Sequence, residues 1–333
     1  MASVADVLHG RGVFMRAIFA GTPDFAVPTL RAMLKAGHEV ALVITQPDRP
    51  AGRGRKLGPT PVKTCAIENA VPVLQPKSIN APESVAVIRH LEPDVLVTEA
   101  FGQKLLAEVL SVPKLGGFNV HASLLPRYRG AAPINWAILN GEDRTGVSII
   151  RMGREIDAGE ILEQESLPIE PDWTAGDLAG ALSGIGARLM VRVLSEVEFN
   201  AANAVEQDGS LASFAPKLTK ADGLIPWRKT ARAVHNHIRG MTPWPGAFTF
   251  CADGRTGKRL RLAVLKSAVA EETGQSAEPG AVMSVTDEGL VTACGEGSVL
   301  VTELRPAGRR GMSAAEFARG HMSDVPMRFT SDE

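Results

Sequence analysis

Cysteine is scarce in this chain. Among 333 residues only Cys65, Cys251 and Cys294 carry a thiol, widely spaced and odd in number. Such a set argues against a disulfide framework and fits a reducing cytoplasm. No CxxC pair occurs, so a thiolate zinc site is not expected. Net charge is nearly absent too: 36 Lys and Arg against 37 Asp and Glu leave −1. No global field draws the chain to nucleic acid or membrane, and any such binding must come from a local patch. No uninterrupted apolar run approaches the ~18 residues of a membrane span. Met1 to Phe14 lacks the apolar core of a signal peptide and the Arg-rich character of a transit sequence. A second methionine, Met15, stands directly before the first strand-like run, so residues 1–14 are expected to be either an N-terminal extension or a misassigned start, outside the fold.

What is present is an average globular composition, 44% hydrophobic and 22% charged, with length for one larger and one smaller domain. The first 150 residues alternate short apolar runs with amphipathic stretches. Ala17–Ala20, Val40–Ile44, Val95–Val97, Phe118–Val120 and Val147–Ile150 read as strands. Helices are expected after Gly21 (with Phe25, Leu30 and Leu34 inward and Gly37 as stop), near Val62–Ala70, and from Asn80-Ala-Pro82 with Val85, Ile88 and Leu91 on one face. Unalternated strands between such helices indicate a parallel sheet covered on both faces. Ligands of such sheets bind beyond the carboxyl ends of the strands, which points to the residues after Ala20, Ile44, Val97 and Val120. Leu178, Leu182, Ile185, Leu189, Val193 and Val197 keep helical spacing and close the first domain. A polar, Ala-rich linker with few anchors is expected over 200–212. Beyond it come a helix near Thr230–Arg239 and five short β-like segments with Gly-rich turns, the pattern of a small antiparallel barrel. The expected domains are thus 15–199 and 213–330.

Charge is unevenly spread behind the neutral total. Residues 151–208 hold 12 acidic and 4 basic side chains, net −8, whereas 217–266 hold 11 basic and 2 acidic, net +9. The basic stretch is either a solvated surface or a contact surface for phosphates. A second basic stretch, Gln46 to Lys63, carries Arg49, Arg53, Arg55, Lys56 and Lys63 against Asp48 alone. It follows the second strand, on the expected ligand side. It reads as a long loop, either solvated or ordering on a polyanion. Its Gly52, Gly54 and Gly58 mimic part of a dinucleotide fingerprint, but Pro50 and Pro59 bracket them and no helix can open there. Gly21-Thr22-Pro23 lacks the Walker pattern. NAD and ATP binding are therefore not supported. His235 and His237, two apart on a helix, point apart, so no metal pair is expected there.

The densest chemical signal is Asn119-Val-His121-Ala-Ser123-Leu124-Leu125-Pro126, followed by Arg127-Tyr-Arg129-Gly-Ala-Ala-Pro133. Asn119 and His121 share one face of a strand end, where an amide and an imidazole can bind one developing oxyanion. Asp157 sits in the Gly-containing turn Glu155–Glu160. Alone it is a turn former. Beside His121 it can orient the imidazole and favour its charged form.

With these segments assembled, the chain resembles the methionyl-tRNA formyltransferase family. Phe19-Ala-Gly-Thr-Pro-Asp-Phe25, the Thr45–Lys63 basic loop, Asn119-x-His-x-Ser-Leu-Leu-Pro126, Arg129-Gly-Ala-Ala-Pro133 and Asp157-Ala-Gly159 match in order and spacing. Ala215-Pro-Lys-Leu218, Pro243-Trp-Pro245 and Arg305-Pro-Ala-Gly308 extend the likeness over residues 15–330. The catalytic run is common to folate-dependent formyltransferases of this type. The basic loop and second domain narrow it to the tRNA-acting group. The resemblance implies an α/β fold, with a Rossmann-like, mostly parallel formyltransferase domain followed by a small OB-like β-barrel domain. It implies 10-formyltetrahydrofolate as donor without metal or NAD, initiator methionyl-tRNA as acceptor, a cytoplasmic monomer and no membrane. By residue, it implies a catalytic trio of Asn119, His121 and Asp157 and folate contacts at Ser123, Leu124, Leu125 and Pro126. It implies tRNA contacts at Arg49, Arg53, Arg55, Lys56, Lys63, Lys217, Arg309 and Arg310. The alternative acceptor is a sugar-nucleotide amine. Glu99 and Phe101 depart from the family, which shows an apolar residue and a tyrosine there; both are expected at the folate pocket, where a buried carboxylate is costly unless paired.

Overall fold

A computed structural model describes residues 14–51, 56–197, 200, 203–274, 277–321 and 327–331. The expected extension up to residue 13, and Arg53 and Arg55, lie outside the described residues, and Lys56 is described only in its backbone. The chain divides into two compact units. One comprises Met1–Gly130, Gly146–Leu167 and Ala179–Phe214, the other Ala131–Thr145, Pro168–Leu178 and Ala215–Glu333.

The first unit is built on a seven-stranded sheet. Its strands are β1 (Arg16–Gly21), β2 (Glu39–Ile44), β5 (Val73–Leu74), β6 (Val95–Glu99), β7 (Gly117–His121), β9 (Arg144–Arg151) and β10 (Ile161–Pro168), in the order β10-β9-β7-β6-β1-β2-β5. Pairing is parallel from β5 through β7, and β9 runs antiparallel to β7. Ala17, Ile18, Phe19 and Ala20 are all fully buried, as a strand with both faces covered requires. Helices α1 (Val27–Lys35), α2 (Pro61–Glu68), α3 (Pro82–His90) and α4 (Ala107–Leu110) fill the connections. In α1 the deep positions are Thr29, Leu30 and Met33, while Leu34 and Phe25 are only half-buried. Thr60 caps α2 by accepting from the Lys63 N–H at 3.1 Å. Asn80 does not cap α3. Its side chain instead bonds the Lys104 carbonyl and the Leu106 N–H, each at 2.8 Å, tying the entry of α3 to the chain before α4.

The basic stretch is more ordered than a loop. β3 (Arg49–Ala51) and β4 (Lys56–Gly58) pair antiparallel, with Arg49 opposite Gly58. The Lys63 ammonium reaches Asp48 at 2.6 Å, and Gln75 donates to the same carboxylate at 2.7 Å. One acidic residue thus fixes the base of the hairpin, which the net charge of the segment conceals.

The helix α6 (Ala175–Ser195) has 21 residues and is long and apolar enough by composition to cross a membrane, with 56% of its apolar window buried inside the protein. The uninterrupted-run criterion misses it because Asp177, Arg188 and Arg192 punctuate its polar face. Leu182, Leu189, Met190, Val193 and Leu194 are buried, as in a core helix. The stretch after α6 is anchored, against expectation. Val205 exchanges backbone hydrogen bonds with Ile161 at 2.8 and 2.9 Å. Ser213 accepts from the Arg129 N–H at 2.8 Å, where the short strands β8 (Arg129–Gly130) and β11 (Phe214–Ala215) run.

The second unit carries α5 (Pro133–Leu139), α7 (Ala231–Gly240) and a curled, half-barrel antiparallel sheet. Its strands are β12 (Phe248–Ala252), β13 (Arg259–Glu271), β14 (Val282–Val285), β15 (Leu290–Ala293) and β16 (Ser298–Pro306), ordered β12-β13-β16-β15-β14. β17 (Met312–Ser313) pairs with β16 and leads into α8 (Ala314–His321). Irregular register along β13, between Val264 and Lys266 and again near Glu271, bends the long strand. Trp227, Val234, Ile238, Leu262, Leu304, Phe317 and Phe329 fill its core.

Candidate active site

β7 ends in Asn119-Val120-His121. Alternation puts Asn119 and His121 on one face of the sheet and Val120 on the other. The Asn119 amide is oriented by its register neighbour on β6: Thr98 Oγ1 donates to Asn119 Oδ1 at 2.7 Å. That leaves Nδ2 as the outward donor, 3.4 Å from Asp157 Oδ1. The other carboxylate oxygen, Asp157 Oδ2, lies 3.5 Å from His121 Nδ1 and accepts from the Gly130 N–H at 2.9 Å. Two side chains from the end of β7 and a carboxylate from a turn far along the chain therefore meet around one point. Asp157 reaches it from a left-handed backbone, φ +54°, which Asp tolerates better than most residues. Two residues on, Gly159 lies so close to the Arg151 carbonyl that a Cβ would sit 1.8 Å from it, so only glycine permits this turn.

His121 is buried, and its Nε2 is 2.9 Å from the Tyr128 carbonyl. A carbonyl only accepts, so Nε2 carries a hydrogen, and Nδ1 bears one as well only in the imidazolium. Contacts of 3.4 and 3.5 Å are long for hydrogen bonds. The amide, and the imidazole in its charged form, are thus free to donate to a carbonyl oxygen placed between them, the arrangement that stabilises an oxyanion.

The Ser123–Pro126 turn is wired inward. Ser123 is fully buried and donates to the Arg127 carbonyl at 2.6 Å, while its own carbonyl accepts from Ser148 Oγ at 2.6 Å. Ser148 in turn accepts from the Leu125 N–H at 3.1 Å, and Gln164 bonds both Ser148 Oγ (2.7 Å) and the Leu125 carbonyl (2.9 Å). Ser123 and Leu125 are thus interior supports of the segment after His121. Leu124 and Pro126 remain half-exposed.

Among the described residues of this unit, a groove of about 590 Å³ opens beside the turn that carries Asp157, lined by Lys104, Arg129, Arg154, Glu155, Ile156 and Phe214. Its volume suits a small molecule. Three cations against one carboxylate suit a ligand with anionic groups. Of the expected basic contacts, Arg49, Lys217, Arg309 and Arg310 are exposed. Lys63 is largely withdrawn into its pair with Asp48.

Glu99 and Phe101 are both buried and are not among the residues lining this groove. Glu99 is fully buried on the face of β6 opposite Thr98. A Cβ on Gly186 of α6 would lie 2.7 Å from Val120 Cγ1 and 3.5 Å from Glu99 Oε1, so the missing side chain there leaves room for the carboxyl. Among the described residues neither Glu99 oxygen has a hydrogen-bond partner, and Thr29 Oγ1 is buried without one as well. Burial pushes the Glu99 pKa up to about 8, weakly opposed by Thr29, so the side chain is a neutral acid at neutral pH. Phe101 belongs to the apolar core, and its carbonyl accepts from Thr22 Oγ1 and Gln46 Nε2.

Two residues of the site escaped the sequence. Thr98 was one position from a flagged residue, and strand alternation could have found it as the in-register partner of Asn119. Gln207 comes from the supposed linker. Its Nε2 donates to the carbonyls of Asp157 (2.9 Å) and Gly159 (2.7 Å), and its Oε1 accepts from Arg129 Nε and Nη2 at 3.1 and 2.7 Å. Nothing in the local pattern signals it.

Comparison with known proteins places this geometry. Residues 15–194 match the family model described as formyl transferase, and 217–322 match that of the formyl transferase C-terminal domain. A methionyl-tRNA formyltransferase of Geobacter sulfurreducens is 47% identical over 92% of this chain and 94% of its own. One of Pelotomaculum thermopropionicum is 46% identical over 92% and 96%. Among solved structures, the sugar 3N-formyl transferase WlaRD, in the presence of dTDP and 5-N-formyl-THF, superposes with a TM-score of 0.62 at 19% identity, covering 90% of this chain and 100% of that one. HypX from Aquifex aeolicus in complex with tetrahydrofolic acid superposes at 0.60 and 18% identity, covering 94% and 49%. These two likenesses carry the fold.

Proposed function

Because the chain belongs to the formyl transferase family, we propose that it transfers the formyl group of 10-formyltetrahydrofolate to the amino group of methionine on initiator methionyl-tRNA, for translation initiation. The observation that carries this reading is the near-full-length likeness, 47% identical over 92% of the chain, to a protein of that activity. A sugar-nucleotide acceptor is the weaker reading, since the likeness there is 19% identity and a shared fold.

The chemistry assigned to the site is acyl transfer at the formyl level. Asn119 Nδ2 and protonated His121 Nδ1 donate to the formyl oxygen as it becomes anionic in the tetrahedral intermediate. The neutral amine of the acceptor attacks. Asp157 takes up the amine proton through water and returns it to the folate nitrogen, which leaves as a neutral amine as its bond to the formyl carbon breaks and the carbonyl re-forms. Thr98 keeps the correct face of the Asn119 amide forward. The groove beside Asp157 receives the donor, with Lys104 and Arg154 facing its carboxylates and Leu124 and Pro126 contributing apolar contact. Ser123 and Leu125 act from below. In this reading the catalytic domain is 15–199, the segment 200–212 is the connection, and 213–330 forms the tRNA-binding domain. Arg49, Arg53, Arg55, Lys56, Lys217, Arg309 and Arg310 meet phosphates, and Lys63 serves the base of the basic hairpin. The protein works as a cytoplasmic monomer.

The test is incubation with 10-formyltetrahydrofolate and, separately, charged initiator tRNA, charged elongator tRNA and an amino-sugar nucleotide, scoring the formylated product. Formyl-methionine on the initiator tRNA is the expected result. Transfer to the sugar amine alone would overturn the assignment.

A further inference from the structure

The catalytic carboxylate is held by a closed ring of bonds whose least obvious member is Gln207. Its side-chain oxygen takes two N–H groups of Arg129 (3.1 and 2.7 Å), and its nitrogen gives its hydrogens to the carbonyls of Asp157 (2.9 Å) and Gly159 (2.7 Å). Arg129 is followed by Gly130, whose N–H donates to Asp157 Oδ2 at 2.9 Å. The ring runs from the Asp157 carboxylate through Gly130 and Arg129 to Gln207, and back to the Asp157 carbonyl. All four polar positions of the Gln207 amide are used, so its orientation is fixed. The backbone bridge between Val205 and Ile161 (2.8 and 2.9 Å) sets the approach of Gln207 from the end of the same turn.

The turn needs such a clamp. Asp157 sits at φ +54°, a conformation that costs energy for a non-glycine residue and persists only when its surroundings impose it. The neighbouring residues do not impose it: Glu155 and Ile156 are exposed, the latter at 60%. Gln207 is the side chain that bonds the backbone on both sides of Ala158.

We infer that Gln207 is a positioning residue for the formyl-transfer step, holding the Asp157 carboxylate at the distance from which it meets Asn119 and His121. This rests on the reading of Asp157 as catalytic. Gln207 touches no reacting atom. Its contribution passes through Asp157, so its loss slows the chemical step and leaves ground-state binding of donor and acceptor in place.

A double-mutant cycle in the full-length chain tests it, with kcat and both KM values for 10-formyltetrahydrofolate and initiator methionyl-tRNA as readouts. Gln207→Ala is expected to lower kcat about ten-fold, the worth of an aligned hydrogen-bond pair, with each KM within about two-fold. In the Asp157→Asn background the same change is expected to be silent, because the group it positions no longer works. Gln207→Glu keeps the oxygen that Arg129 uses and sets a second oxygen against two carbonyls. It is expected to lose kcat at least as far, and it carries the test should the alanine variant fail to fold. An unchanged kcat in either single variant overturns the inference. So does a loss of equal size with and without Asp157, which marks a merely structural role. Full turnover in Asp157→Asn alone would instead undo the site reading on which the inference rests.

Discussion

In the proposed function, the rim of the first unit and the exposed arginines of the second meet opposite demands by opposite means. At the rim every functional group is crowded and bonded. Asn119 is held by Thr98, His121 by the Tyr128 carbonyl, and Asp157 by Gly130 and Gln207, each at 2.7–2.9 Å. In the second unit Arg259 and Arg261 stand exposed. Their guanidinium carbons lie over the rings of Phe250 and Phe248, 3.9 and 3.8 Å from the ring centres. Stacking spreads a cation over apolar surface without fixing a single donor direction. A reacting carbonyl needs donors aimed to within a few tenths of an ångström. A phosphate backbone needs only charge at roughly the right place, and its attraction is lost to salt rather than to misalignment.

The sharpest way to break this contrast is to remove a donor at the rim. Asn119→Ala and His121→Ala are each expected to lower single-turnover formyl transfer by about 10²–10³-fold, with thermal unfolding near that of the parent. A loss of less than about ten-fold would mean that alignment is not what the rim supplies. Thr98→Val is the milder cut. It leaves the amide in place and frees it to turn over, so kcat should fall about ten-fold while binding of the folate stays intact. Equal turnover would show that the amide is held by something else.

Glu99 sharpens the comparison from the side of stability. Its pKa is raised from 4.5 to about 8, so between those pH values the unfolded chain has released a proton that the folded chain keeps. Stability therefore falls as pH rises through that window and levels off above it. Glu99→Gln cannot ionise. It should flatten the decline of stability between pH 5 and pH 9, an effect on the order of a few kcal/mol that is read as a flatter Tm profile. Parallel Tm profiles would mean that the carboxyl finds solvation in the folded protein. The smallest expected effect lies at the exposed arginines. Replacing Arg259 and Arg261 by Ala should reduce the slope of log affinity against log salt for initiator tRNA by about 0.7–0.9 per lost phosphate contact, with KM for the formyl donor unchanged. An unaltered slope would place the RNA elsewhere.

How much of this was written in the sequence follows the same division. Strands such as Ala17–Ala20 and Phe118–Val120 were legible because buried runs without alternation have few other fates. The trio was legible as a motif, and the two-residue spacing of Asn119 and His121 already put them on one face. What stayed hidden depends on partners far along the chain. A polar stretch around Gln207 has no periodicity to betray that one amide bonds two carbonyls fifty residues upstream. Net charge made the Gln46–Lys63 segment look like an open loop, because Asp48 counts as one residue and yet anchors the base of a hairpin through Lys63 and Gln75. Glu99 was expected at the pocket by its place at the strand end, whereas strand alternation, decisive for a residue next to Thr98, turns its side chain to the opposite, buried face.

The antiparallel pairing of β7 with β9, His121 against Ser148 and Asn119 against Ile150, makes the molecule far less tolerant of insertions and deletions here than of substitutions. One residue gained or lost within β7 would rotate the amide and the imidazole together into the helix layer, and swing Val120 out to the reaction. No repair at either position alone could undo that. Variation reaching these few residues can therefore change letters but not their number.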